Sequence, residues 1–171
     1  MTGSKQPISV LVLIYTTPAE SSGQAQDMQV LLLERTDHPG YWQSVTGSCE
    51  AGETLAETAR REVREETGLE IELNATRYKL TDWKTQNSYE IYPQWRHRYP
   101  AGVTRNTEHV FGLELPQPVP IQLAPREHLK FQWLAWQDAA EKVFSPSNRA
   151  AILELAAKFD VSGCAQRKLN D

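Results

Sequence analysis

The chain has 171 residues, of which 40% are hydrophobic and 23% charged, and a formal net charge of -4. That length suits one domain with its own core, and the acidic balance argues against a broad nucleic-acid-binding face. The apolar run Ile8 to Tyr15 is too short to span a bilayer and lacks the flanks of a secretory signal, so no membrane partner is expected. Cys49 and Cys164 have no metal-ligand spacing and read as reduced thiols of a cytoplasmic protein, Cys49 as a small filler.

In chain order, residues 8 to 15 (ISVLVLIY) and 29 to 34 (QVLLLE) read as buried strands. Thr17 to Asp27, with Pro18, Ser21, Ser22 and Gly23, reads as the loop between them. The turn His38-Pro39-Gly40 leads to a short segment, Trp42 to Val45. Thr54 to Thr67 is rich in helix formers, with Gly52 before it and Gly68 placed as a left-handed C-terminal cap. Glu70 to Leu80, Tyr89 to Tyr99 and Glu108 to Leu115 read as strands. Leu115 to Pro125 carries four prolines and reads as an extended loop. His128 to Trp136 is the expected last strand. Gln137 to Val143 and Pro146 to Phe159 are expected helices, the second with Ser145 as N-cap. This predicts an α/β fold with a single domain over residues 1–160 and a frayed tail over residues 161–171.

The chemistry concentrates in residues 47 to 69, GSCEAGETLAETARREVREETGL. Gly47 is followed after five residues by Glu53, then after seven more by Arg61-Glu62-Val63, Arg64, Glu65-Glu66 and Thr67-Gly68-Leu69. On a helix, Glu62, Glu65 and Glu66 project from neighbouring turns of one face. Leu55, Ala59 and Val63 form an adjacent apolar stripe that seats the helix on a sheet. Three carboxylates so close repel one another. A hard divalent cation relieves this, and Mg2+ prefers a few carboxylates plus water and phosphate oxygens. Arg61 is placed to hold a neighbouring carboxylate. The competing reading is a solvated Glu/Arg helix face; the fixed glycines, Glu53 and the arginine spacing favour the metal site.

This segment matches the Nudix box, G-x5-E-x7-R-E-U-x-E-E-x-G-U with U aliphatic, at every position. The chain therefore resembles the Nudix hydrolases. That resemblance implies an α/β/α sandwich with a mixed central sheet and a catalytic loop-helix-loop. It also implies hydrolysis of diphosphate bonds with Mg2+, for which Mn2+ substitutes. Further stretches, Trp42 to Ser48 (WQSVTGS), Arg96 to Glu108 (RHRYPAGVTRNTE) and Ser145 to Arg149 (SPSNR), are similar to the bacterial folate-pathway branch of the family. That similarity covers about residues 5 to 155 and implies conversion of dihydroneopterin triphosphate to its monophosphate and pyrophosphate.

By the same resemblance Glu62, Glu66 and Glu127 are metal ligands, and Glu65 is a further ligand or water activator. Arg61 completes the catalytic set. Lys5 and Arg35 correspond to basic positions facing the phosphates, and Thr46 to a ligand contact through backbone or hydroxyl. Tyr89, Glu90, Ile91 and Tyr92 correspond to the strand beside the pterin, where an aromatic stacks and a carboxylate accepts amino hydrogens, although both tyrosines are equally readable as core. Ser145 and Asn148 close the far side. Arg98 and Arg105 either touch phosphate or brace the long loop, while His97, His109 and His128 read as structural. The expected partner is a small triphosphate, with monomer and homodimer equally open. Two other readings use the same chain: a housekeeping Nudix enzyme of (d)NTPs or oxidised nucleotides, and a non-catalytic nucleotide sensor. The intact carboxylates weigh against the sensor.

Overall fold

Strand β1, Ile8–Thr16, organises the molecule because its side chains alternate between two cores. In the computed structural model, which describes residues 4–17 and 28–167, with side chains to residue 159, Val10, Val12 and Ile14 face one core. Leu11 and Leu13 face the other. The strand is buried on both faces, as its unbroken Val, Leu and Ile composition requires.

The other strands are β2 Gln29–Arg35, β3 Trp42–Gln43, β4 Val45–Ser48, β5 Lys79–Glu90, β6 Arg105–Leu115 and β7 His128–Ala135. They form one seven-stranded mixed sheet with the path β3-β2-β1-β6-β5. β6 lies parallel to β1 along its whole length, Ile8 opposite Thr107 through Thr16 opposite Leu115. The other edge of β1 is shared by β4, antiparallel over Ser9 to Val12, and by β2 at Tyr15. β7 pairs antiparallel with β2.

Helix α1, Leu55–Thr67, covers one face through Ala59 and Val63. Helices α2, Trp136–Lys142, and α3, Pro146–Arg167, cover the other through Ala139, Ala140, Ala151, Ile152 and Leu155. The result is the α/β/α sandwich that the family resemblance implied. Thr54 caps α1 in a reciprocal capping box with Glu57, and Gly68 ends it at φ 72°. The expected proline-rich loop is present, and its Val119, Ile121 and Leu123 pack against the α1 core.

Three boundaries differ from expectation. Glu70 to Leu80 is not a strand: a 3-10 turn occupies Glu72–Asn74. Asn74 accounts for it, donating its amide to Glu70 O at 2.8 Å while its carbonyl accepts from Arg77 and Tyr78, so local bonds capture the backbone. The strand instead runs from Lys79 to Glu90 as a half-buried edge, and its polar residues carried no apolar run to read. Tyr89 to Tyr99 is not a strand beyond Glu90, because Pro93 lacks an N–H and opens a 3-10 helix, Pro93–Arg98. Finally, α3 continues past Phe159 to Arg167. A single Gly163 costs a helix about 1 kcal/mol without ending it. Most of the expected loop, residues 18–27, and residues 168–171 lie outside the described residues.

Candidate active site

The box places its carboxylates unequally. Glu62 and Glu66 are buried at 8% and 2% exposure, whereas the Glu65 side chain is about half exposed. Gly47 explains how Glu62 fits: a Cβ built there would lie 1.9 Å from Glu62 Cδ, so only glycine lets the carboxylate pass under β4.

Arg61 is the hub of this layer. Its Nε and Nη2 donate to the two Glu53 oxygens at 2.7 and 3.0 Å, its Nη1 donates to Glu62 at 2.7 Å and Glu65 at 3.3 Å, and Nη2 also reaches Ser48 O. One guanidinium thus ties the loop carboxylate to two helix carboxylates. The hydrogen bonds from Arg61 hold the Glu53 carboxyl down at about 2. Glu62 is pushed up to about 7, first by burial and then by the charge of Glu66, with Arg61 pulling the other way.

Glu66 is the deepest of the set. Burial raises its pKa, opposed by a hydrogen bond to His128 and a backbone hydrogen bond from Thr46. His128 Nε2 lies 3.0 Å from Glu66 Oε2. With Glu66 ionised, Nε2 must carry the proton and donate, which orients the carboxylate. Glu127, in the turn before β7, brings a third ligand atom: one atom each from Glu66, Glu127 and His128 lie within 4.8 Å of one another. Glu62 is not in that group. Two carboxylate oxygens this close suit a hard divalent cation. The imidazole nitrogen is already bonded to Glu66 and serves the carboxylate better than the ion.

Glu66, Glu127 and His128 line a cavity of about 610 Å³, a size ordinary for small-molecule sites. Every substrate-binding candidate lines it: Lys5, Arg35, Thr46, Tyr89, Glu90, Ile91, Tyr92 and Ser145, together with Arg98 and Asn148. Arg61, Glu62 and Glu65 do not, nor do Arg105, His97 and His109. Arg105 instead bonds Ser88 across the β5–β6 pair.

Several of these side chains are already engaged. Arg35 is paired with Asp37 at 2.7 Å, bonded to Gln43 and stacked over Trp95. The Thr46 hydroxyl donates to Val10 O. Glu90 is exposed and paired with Arg96. Tyr92 is 44% exposed and meets Trp95 edge to face. Asn148 bonds Ser44 through both ends of its amide and anchors α3 to the β3–β4 segment.

The sequence reading missed Trp95, Asn106, Glu108, Phe144 and the contact of His128 with Glu66. Asn106 and Glu108 share a face of β6 with Val110, a core residue, as the register with Ser9 and Leu11 requires. A polar pair at core-facing positions was the available signal.

A loop-helix-loop over a mixed sheet thus brings the buried Glu66 and the exposed Glu127 together on the wall of one cavity, the arrangement of a hydrolase that works through a bound metal ion. The NUDIX domain family model matches residues 7–155, and the chain belongs to that family as a Nudix hydrolase. The dihydroneopterin triphosphate diphosphatase of Escherichia coli K12 is 46% identical over 149 residues, covering 86% of this chain and 91% of that protein. The Haemophilus influenzae protein of the same name is 39% identical over 145 residues, 84% of each chain. The solved E. coli dihydroneopterin triphosphate pyrophosphohydrolase superposes with a TM-score of 0.78 at 41% identity, covering 91% of this chain and 98% of that one.

Proposed function

We propose that this enzyme hydrolyses dihydroneopterin triphosphate to dihydroneopterin monophosphate and pyrophosphate, as a cytoplasmic step of folate synthesis. The observation that carries this reading is the 46% identity to the E. coli diphosphatase across 91% of its length. No helix among the described residues is long and apolar enough to cross a membrane.

The chain's own residues divide the work. Glu66 and Glu127 hold Mg2+, with Mn2+ as a substitute, and the family resemblance adds Glu62 to the set. When bound, the ion neutralises phosphate charge and polarises the phosphoryl oxygens. His128 fixes the orientation of Glu66. Arg61 positions Glu53, Glu62 and Glu65 relative to one another, and its loss acts through them. Lys5 and Arg98 bring positive charge to the cavity wall, where the triphosphate needs it. Trp95 and Tyr92 offer aromatic surface beside Arg35. In the reaction, water oxygen forms the new P–O bond, the anhydride P–O bond breaks, and pyrophosphate leaves with release of a proton. Most of the rate gain is positioning and charge stabilisation.

The test is product analysis on the purified enzyme. Dihydroneopterin triphosphate with Mg2+ should give monophosphate and pyrophosphate in equal amounts, and EDTA should stop the reaction until Mg2+ or Mn2+ is restored. Successive release of orthophosphate, or full activity under chelation, would overturn the proposal.

A further inference from the structure

The sequence reading gave the ring-recognising carboxylate to Glu90, yet Glu90 is exposed and bound to Arg96. A better placed acid lies in the same cavity. Glu108, on β6, is 4% exposed and lines the cavity wall, and its Oε1 is buried with no hydrogen-bond partner among the described residues. Asn106, two residues earlier on the same face, also lines the cavity and leaves its Oδ1 equally unpartnered. Two buried acceptors without donors, two residues apart on one face of a strand, are rare in a folded protein, and each is a cost that a ligand donor removes.

The orientation of Asn106 is set by its surroundings. Its Nδ2 donates to Ser9 Oγ at 2.7 Å and to Tyr89 Oη at 3.1 Å, so the carbonyl oxygen must be the free end. Burial raises the pKa of Glu108, and the side chains of Ser147, Asn87 and Tyr89 oppose that rise in part.

The position relative to the phosphate end also follows from the sheet. Gly47 on β4 is opposite Val10 of β1, and Ser9 of β1 is opposite Glu108 of β6. Two strand spacings therefore separate the box entry from Glu108, about 10 Å. That is room for a bicyclic ring whose phosphorylated arm leaves from the side opposite its 2-amino edge.

We propose that Glu108 is a specificity residue of the ring pocket, accepting the neighbouring N–H donors of a 2-amino-4-oxopyrimidine edge, with Asn106 Oδ1 as the adjacent acceptor. The inference rests on the triphosphate substrate class proposed above. It commits to a chemical edge that pterin shares with guanine. Adenine and cytosine place an acceptor next to the amino group, and thymine flanks its single N–H with two acceptors, so none of them supplies the donor pair.

The test exploits that shared edge. dGTP and dITP differ only in the 2-amino group, so their kcat/KM ratio on the wild-type holoenzyme with Mg2+ reads this contact alone. The ratio should favour dGTP by at least about tenfold, the scale of leaving a buried acceptor without its donor. In Glu108→Gln, which turns a donor toward the ring, the ratio should fall to within about threefold of unity, with the change mainly in KM. Equal rates for dGTP and dITP in the wild type would overturn the inference, and so would a variant that loses activity uniformly while keeping the ratio. Should Glu108→Gln fail to fold, the wild-type ratio still decides. A wild type that prefers dGTP over dITP yet does not favour dihydroneopterin triphosphate would refute the substrate reading and leave the role of Glu108 intact.

Discussion

Gly47→Ala should damage the enzyme through Glu62, and its size follows from one distance. The added Cβ would lie 1.9 Å from both Cδ and Oε1 of Glu62, where ordinary contact begins at 3.4 Å. The carboxylate must therefore move by about 1.5 Å (3.4 − 1.9), because β4 is held by its pairing with β1 at Val10 and cannot retreat. A misplacement of about 1 Å costs on the order of 10²-fold in rate, so kcat should fall by at least that much if Glu62 serves the metal as proposed. The displaced carboxylate also loses its 2.7 Å bond from Arg61 Nη1. A double-mutant cycle isolates the cause. In a Glu62→Ala background the clash disappears, and Gly47→Ala should cost less than about threefold more, a coupling of about 2 kcal/mol or greater. The assay is pyrophosphate release from dihydroneopterin triphosphate, with Tm as a control for folding. Wild-type kcat in Gly47→Ala, or simple additivity of the two losses, would refute the reasoning.

Three further outcomes are expected. Glu66→Gln keeps the acceptor for His128 but removes a fully buried charge, so kcat should fall by about 10² to 10⁴ while Tm of the metal-free protein holds or rises; a loss under about tenfold would take Glu66 out of the metal set. Glu127→Gln should depress dihydroneopterin triphosphate and dNTP turnover by the same factor, because it acts on the shared phosphates, whereas Tyr92→Ala should change the ratio between them; steady-state kinetics on both substrates separates the two. Glu53 titrates at about 2 because Arg61 binds its ionised form. Its stabilisation is complete above the unfolded value of about 4.3 and is lost as pH falls through about 2. The Tm difference between wild type and Glu53→Gln, measured without metal, should be constant above about pH 4.5 and shrink toward pH 2. A difference independent of pH would show that Glu53 acts by packing alone.

What could be read from the sequence was whatever carried a single strong period. β1 and β2 are apolar on both faces, and α1 has a glycine just outside each end, so these elements and the box register were legible. β5 was not, because an edge strand with one half-buried face shows residues such as Thr81, Lys84, Gln86 and Asn87, which carry no apolar period and were left unassigned. The 3-10 segments arise from Asn74 and Pro93, single residues whose local bonding overrides the partial alternation around them. The substrate candidates do line one cavity, but the resemblance that named them could not say which were already paired, as Arg35 and Glu90 are. Glu108 and Asn106 left only a faint trace, a polar pair at core-facing positions of β6; that one oxygen of each has no donor shows only once β1, β5 and β6 are assembled.

The substrate assignment is tested most directly by kcat/KM for dihydroneopterin triphosphate against each of the four common dNTPs, measured as pyrophosphate release with saturating Mg2+ on one enzyme preparation. The account predicts that dihydroneopterin triphosphate exceeds every dNTP, with dGTP the best of the four. A preference for any dNTP over dihydroneopterin triphosphate would contradict it.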